Sequence, residues 1–151
     1  MQLSKVQLKK ELKKIEEFIY NNDESIGAYG DGKSIVETPH APLTHEFADQ
    51  LYLRRMDMVK GSVIVGAIHN HKHIWFLMTG HISVYANDEL QDYIAPCYVI
   101  SEPGTKRFIY AHEESIFVNI HKNPTNTTDI KELEKEIVSF TEEDYEKYKN
   151  K

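Results

Sequence analysis

The chain has 151 residues, a mass of 17.6 kDa and a net charge of −6 at neutral pH. This length fits one domain with a single core, and the negative charge argues against a general attraction to nucleic-acid phosphates. Cys97 is the only cysteine, which excludes an intramolecular disulfide and favours a reducing, cytoplasmic compartment. The sequence has no long uncharged apolar run of the kind that a membrane span or signal peptide requires, so we expect no membrane partner.

The first predicted element is an amphipathic helix. Apolar residues recur at helical spacing between about residues 4 and 20, with lysines and glutamates on the other face: Val6, Leu8, Leu12, Ile15, Phe18 and Ile19. We assign residues 1–22 to this helix. Residues 23–48 contain several glycines and prolines, which predicts a connector with one short strand near residues 34–36.

Short strands separated by turns are predicted over residues 49–125. Apolar alternation and the intervening turn residues predict seven or eight strands, near 51–58, 62–68, 74–78, 82–85, 93–94, 97–100, 107–110 and 115–120. The run 74–78 is apolar on both faces, which predicts a strand inside a closed sheet. Strands at this spacing are typical of an antiparallel sandwich or barrel.

Residues 126–151 return to a helical pattern. Asp129 with Glu132 resembles a capping pair ahead of apolar residues at helical spacing. Thr141 with Asp144 predicts the start of a final short helix. The predicted architecture is therefore mainly β, with an N-terminal helix and a C-terminal helical tail.

A cluster of histidines stands out between residues 68 and 82. His69, His71 and His73 alternate in a segment that reads as a strand, so their imidazoles are expected on one face. Imidazole is the commonest metal ligand in proteins, and such a face predicts a metal or small-ligand pocket. The alternative interpretation is the solvent-facing polar side of an edge strand.

The histidine segment and the later Pro103-Gly104-Thr105-Lys106-Arg107 turn resemble, in order, the two motifs of the cupin superfamily. The resemblance covers residues 51–121 and is nearer to small uncharacterised cupin-like proteins of bacteriophages, which share a His-x-x-x-His strand, such a turn and an ending similar to residues 120–122. It implies a cupin-like double-stranded β-helix, a jelly-roll barrel, with helices at both ends.

This sequence departs from the usual cupin pattern at the metal ligands. Counted from Gly80, the glutamate position of the first motif holds His73, and the histidine pair falls on Ala67 and His69. The second-motif histidine falls on Arg107. The resemblance then implies a metal site of His69, His73 and His121, with a weaker claim for His71, holding zinc, iron, manganese or nickel; loss of the metal is the alternative.

An arginine inside the barrel would repel a cation and favour an anionic ligand. The candidate ligand-binding residues are Arg107, Lys106, Trp75, Tyr110 and His112. Buried core roles are the alternative for Trp75 and Tyr110, and a loop hydrogen bond is the alternative for His112.

Three functional hypotheses follow from the residues and the resemblance. The first is a small-molecule-binding protein, in one version a phage-encoded protein that sequesters an anionic, nucleotide-type ligand in the host cytoplasm. The second is a metal-dependent cupin enzyme of the dioxygenase or isomerase type, and the third is a structural assembly module. In each case we expect a homo-oligomer, because the first helix needs an apolar partner surface.

Overall fold

The computed structural model describes residues 4–20 and 41–151. The strand expected near residues 34–36 lies outside the described residues. In chain order the described elements are α1 (Lys5–Tyr20), β1 (Leu43–Ala48), β2 (Leu51–Met58), β3 (Val63–Val65), β4 (Ile68–His69), β5 (His73–Thr79), β6 (His81–Ala86), β7 (Glu89–Ile94), β8 (Cys97–Ser101), β9 (Phe108–Ala111), β10 (Ser115–Lys122), α2 (Ile130–Ile137), β11 (Val138–Ser139) and α3 (Glu142–Lys149).

The strands form two antiparallel sheets that face each other. One sheet has the order β1-β2-β10-β5-β8 and the other the order β3-β9-β6-β7, while β11 pairs with β4 at one end. Every described strand pair is antiparallel. This confirms the mainly β, antiparallel architecture expected from the alternating pattern.

The main core lies between the two sheets, because each strand turns alternate residues inward. The first sheet contributes Met56, Met58, Trp75, Leu77 and Phe117, and the second contributes Ile64, Ile82, Val84, Ile109 and Ala111. All of these side chains are buried. Their packing fixes which residues of each strand face the interior.

The strand β5 lies inside its sheet, as predicted. It lies between β10 and β8, but only alternate residues of the strand are buried. Trp75 and Leu77 face the core, whereas Met78 is 56% exposed. The outward side chains Ile74 and Phe76 are half-buried, so the apolar outer face of β5 is only partly covered.

The strand β1 lies within the segment 23–48 that the sequence suggested as a connector. Leu43–Ala48 pairs along its whole length with β2, and its residues are half-buried or exposed. An edge strand with little burial carries a weak apolar pattern, so its pairing is visible only in three dimensions.

The helical tail closes one end of the barrel. The side chain of Asp129 accepts hydrogen bonds from the first turn of α2, and Thr141 accepts one from Asp144 at the start of α3, which confirms both predicted caps. Leu133 and Ile137 of α2 are buried in a second apolar cluster with Tyr52, Val65, Ala67 and Val138. None of the described helices is both long and apolar enough to cross a membrane.

The helix α1 is tied to the barrel by an ion pair between Glu16 and Lys106. Val6 and Phe18 on this helix are 68% and 61% exposed. The side chains of its apolar stripe that the structure describes are therefore only partly covered within one chain.

Gly80 provides a test of the connection between the two sheets. Its φ is +96°, and a Cβ there would lie 2.1 Å from Ser115 Oγ and 2.5 Å from the carbonyl oxygen of Glu114. We expect Gly80→Ala to lower the free energy of unfolding by about 2–4 kcal/mol, because strain and a backbone clash add. Denaturant titration measures this loss.

Gly61 is the matched control for this substitution. It has a φ of +86° but open space where a Cβ would stand. Gly61→Ala should cost only about 1–2 kcal/mol of left-handed backbone strain. Equal losses in the two variants would contradict a steric role for Gly80.

Candidate functional site: a histidine group and a cavity joined by Arg107

Three histidines from three strands meet inside the barrel. His69 ends β4, His73 begins β5 and His121 lies on β10, and a ring nitrogen from each lies within 4.8 Å of the others. The ring centroids of His73 lie 4.5 Å from those of His69 and 4.6 Å from those of His121. All three side chains are buried. The fold thus brings together three of the four histidines suggested as metal ligands.

The fourth suggested ligand, His71, is placed elsewhere. The chain bends between β4 and β5, so the three alternating histidines do not lie on one continuous strand. The prediction that their imidazoles share one face was therefore wrong. His71 Nε2 lies 2.7 Å from the hydroxyl of Tyr148 on α3. His71 and Tyr148 line a separate cavity of about 480 Å³ beside α2.

Backbone carbonyls orient two of the rings in the histidine group. His69 Nδ1 lies 3.4 Å from the oxygen of Thr105, and His73 Nδ1 lies 3.3 Å from the oxygen of His71. A neutral ring that donates from Nδ1 keeps the lone pair of Nε2, which is the form that a metal requires. In the other tautomer of His73 the proton is on Nε2, which then donates to Asn119 Oδ1 at 3.1 Å.

Arg107 lies against the same group and points inward, 4% exposed. Its Nη1 lies 3.4 Å from His73 Nε2 and donates to Ser101 Oγ at 3.2 Å, while its Nη2 donates to Asn119 Oδ1 at 3.0 Å. The guanidinium also lies 5.5 Å from the centre of the Phe117 ring. The position that a second-motif histidine would take is therefore occupied by a fixed positive charge.

Burial and this charge keep the three imidazoles neutral. Burial is the first cause of a pKa well below 6.5 for His69 and His121 and of the pKa of about 4 for His73. The positive charge of Arg107 also contributes to lowering all three pKa values, and that of Arg54 contributes for His121. Neutral imidazole is the ligand form for a metal, but the same guanidinium repels a metal cation.

Arg54, Tyr52 and Asn119 belong to this interior site, and the sequence reasoning missed them. Arg54 is 7% exposed and donates to the hydroxyl of the fully buried Tyr52 at 2.9 Å. Strand alternation was the available signal, because Arg54 shares a face of β2 with Tyr52 and Met56. Asn119 similarly shares the inner face of β10 with His121.

A cavity of about 180 Å³ opens on the other side of Arg107. Its buried walls are Trp75, Val84, Ser101, Thr105 and Arg107, with Tyr93 half-buried beside them. Exposed polar residues surround the outer end: Asn87, Glu89, Gln91 and Glu102. The cavity has a cation among its buried walls and hydrogen-bonding groups at its mouth.

Two of the five suggested ligand-binding residues, Arg107 and Trp75, line this cavity. Trp75 is 2% exposed and stacks on Phe117 with ring centroids 4.8 Å apart. The other three lie away from it. Lys106 pairs with Glu16 of α1, and Tyr110 and His112 contact each other on the outer face of the second sheet.

Comparison with known proteins supports the fold. No family model matches the sequence, and no curated protein matches it. A cupin superfamily protein from Desulfitobacterium hafniense superposes with a TM-score of 0.50 at 8% identity, covering 57% of this chain and 80% of that one. The cupin domain of Schizosaccharomyces pombe Cnp3 gives 0.50 at 15% identity, covering 60% and 69%. The barrel therefore has the cupin fold, as the sequence motifs suggested.

The lowered pKa values predict how stability depends on pH. In the unfolded chain these histidines titrate near pH 6.5, so unfolding takes up protons below that pH. Stability is then fully present above about pH 7 and falls as the pH drops from about 6.5 towards 4. Each histidine adds a slope of about 1.4 kcal/mol per pH unit within that window.

Denaturant titrations of chelator-treated protein at several pH values measure this slope. His73→Gln should reduce it by the contribution of one histidine, because glutamine does not titrate. A slope that His73→Gln leaves unchanged would contradict a neutral, buried His73.

Proposed function

We propose that this chain is a cupin-fold binding protein whose barrel cavity holds a small anionic molecule, one that carries a carboxylate or a phosphate. The observation that carries the proposal is the position of Arg107, whose buried guanidinium lines the cavity. A guanidinium presents a planar fork of donors that matches carboxylate and phosphate oxygens. Ser101 and Asn119 hold this fork in place through neutral oxygens.

The size of the cavity limits the ligand. A volume of about 180 Å³ corresponds to roughly six water molecules at about 30 Å³ each. It therefore suits one phosphate group or a small organic acid. Sequestration of a nucleotide by a phage-encoded protein is a specific form of this function. The phosphate of such a nucleotide would lie inside the cavity and its base would lie outside the mouth.

The polarity of the mouth limits the ligand further. Glu89 and Glu102 are exposed at the outer end, where Glu102 also pairs with Lys72 at 3.2 Å. Carboxylates accept hydrogen bonds and repel negative charge. The proposed ligand accordingly carries its anionic group at one end and hydroxyl or amine donors at the other.

A binding test compares two neighbouring cations. Arg107→Met removes the charge that lines the cavity, whereas Lys106→Met removes the adjacent charge that pairs with Glu16 outside it. Thermal unfolding and calorimetry with inorganic phosphate, glycolate and AMP measure binding. We expect an anion to stabilise the wild type and Lys106→Met, and Arg107→Met to bind it about 10- to 100-fold more weakly.

Glycolamide, the uncharged counterpart of glycolate, is the matched ligand control and should not bind. Arg107→Lys retains the charge without the fork and covers the case in which Arg107→Met does not fold; we expect intermediate affinity. Equal affinity for the anion in wild type and a folded Arg107 variant would overturn the proposal. Absence of anion binding by the folded wild type would also overturn it and favour the structural assembly module.

A second candidate function is a metal-dependent cupin enzyme, and the histidine group is the observation that favours it. His69, His73 and His121 would hold the ion, since three neutral imidazole nitrogens suit zinc, iron, manganese or nickel. A bound metal would supply Lewis-acid chemistry. Arg107 would then attract an anionic substrate towards the metal, while its contact with His73 competes for one lone pair.

Native mass spectrometry of protein purified without chelator tests this candidate. A catalytic metal site predicts that the His69→Gln/His73→Gln double variant, with unchanged circular dichroism, holds one transition metal per chain fewer than the wild type. His71→Gln is the matched control and should keep the metal, because His71 contacts Tyr148 instead. Equal metal content in the wild type and the folded double variant would contradict the enzyme and leave the anion-binding protein.

We also propose that the protein is a homo-oligomer, which the same spectra report directly. Exposed apolar side chains on β8 and its neighbours support this: Met78, Ile94, Tyr98 and Ile100. The strand β8 is the edge of its sheet, where unpaired backbone groups can pair with another copy.

A further inference from the structure

A second group of potential metal ligands lies on the outer face of the barrel. His81 begins β6, Asp92 lies on β7, and His112 follows β9, so the three residues come from adjacent strands or their ends. One ligand atom from each lies within 4.8 Å of the others. His81 alternates with the buried Ile82, which places it on the side of the sheet opposite the core.

Hydrogen bonds hold these side chains close to one another. His81 Nε2 lies 3.3 Å from Asp92 Oδ2, and Ser83 donates to the other carboxylate oxygen of Asp92. His112 Nε2 lies 2.6 Å from Ser83 Oγ. Two imidazoles, one carboxylate and one hydroxyl therefore converge on a single patch of the sheet.

The backbone makes this arrangement rigid. Ser83 is directly opposite Asp92 in the β6–β7 pair and opposite Tyr110 in the β6–β9 pair. His112 donates its backbone N–H to the carbonyl of His81 at 2.9 Å. The two imidazole rings stack with centroids 4.2 Å apart, and the ring of Tyr110 packs edge-on against His112. The ligands therefore need only small side-chain rotations to close on an ion.

The chemical state of the group also suits a metal. Asp92 accepts a hydrogen bond from Ser83, and an aspartate carboxylate is ionised at neutral pH. A carboxylate partly offsets the charge of a divalent cation, which the interior histidine group, beside Arg107, does not. The half-exposed surface leaves positions for water or another ligand to complete the coordination.

We infer that His81, Asp92 and His112 form a surface site for a divalent transition metal such as Zn²⁺. Zn²⁺ is commonly held by histidine nitrogens and a carboxylate at about 2.0–2.2 Å, which puts the ligand atoms about 3.3 Å apart. The present separations would close to that value by rotation of the exposed Asp92 side chain and of the two half-buried imidazoles. Ser83 supports the site by holding Asp92, and its hydroxyl gives up its contact with His112 Nε2 when that nitrogen binds the ion.

The test must separate this site from the interior histidines. In the His69→Gln/His73→Gln background, Co²⁺ titration followed by visible absorption, and competition by Zn²⁺, report binding at the surface. We expect one ion per chain. Adding His112→Gln, His81→Gln or Asp92→Asn should each weaken binding at least tenfold, because each removes a ligand.

Glu113→Gln is the matched control, since it removes an exposed negative charge next to His112 without removing a ligand, and it should change affinity less than threefold. No Co²⁺ binding in the folded double-variant background, or equal binding after His112→Gln, would overturn the proposal. If Glu113→Gln lowered the affinity for Co²⁺ as much as Asp92→Asn, the proposal would also be overturned, because general negative charge would then hold the ion.

A second measurement works on the otherwise unaltered chain and does not depend on folding of the double variant. Cu²⁺ at substoichiometric amounts broadens the amide signals of nearby residues in nuclear magnetic resonance spectra. We expect broadening at Ser83 and Tyr110 that His112→Gln removes and that His71→Gln leaves in place. Broadening that persists in His112→Gln would place the ion elsewhere and overturn the assignment.

Discussion

The interior of this barrel is organised around a buried positive charge. Arg107 is 4% exposed and contacts His73 on one side while it lines the cavity on the other. A buried guanidinium is costly unless polar groups surround it, and here Ser101 and Asn119 accept its hydrogen bonds. The neighbouring imidazoles stay neutral because they are buried beside that charge. The same charged side chain therefore lines the cavity and lowers the pKa values of the histidine group.

The two faces of the strands carry opposite chemistry. Inside, the buried Arg107 lies beside three neutral histidines. Outside, His81 and His112 lie beside the carboxylate of Asp92. Strand alternation makes both possible within one small barrel, since neighbouring residues point to different environments.

Much of the fold could be predicted from local pattern. The alternation of apolar residues marked most strands, and the caps at Asp129 and Thr141 marked the starts of two helices. The motifs around His69, His73 and Arg107 indicated the cupin barrel, whose fold the solved structures share. Pairing of the edge strand β1 and the short strand β11 was not predicted, because strands of low burial or only two residues leave little periodic signal.

The grouping of His69 and His73 with His121 was suggested in advance, whereas the place of His71 was not. Spacing alone put His71 on the same face as its neighbours, but the chain bends there and turns its ring towards Tyr148 on α3. Arg54 and Asn119 share inward faces with residues that were already recognised, so alternation would have found them. Sequence can give the face of a residue only while the strand continues.

The sequence by itself determined the class of fold and the residues available for chemistry, because these depend on local periodicity, turn residues and short motifs. Only the tertiary structure decided that Arg107 points inward, that it separates a cavity from the histidine group, and that Lys106 turns away to Glu16. It also decided that His81, Asp92 and His112 meet on one surface. These contacts join residues far apart in the chain, and strand register, which long-range packing fixes, sets which of them become neighbours.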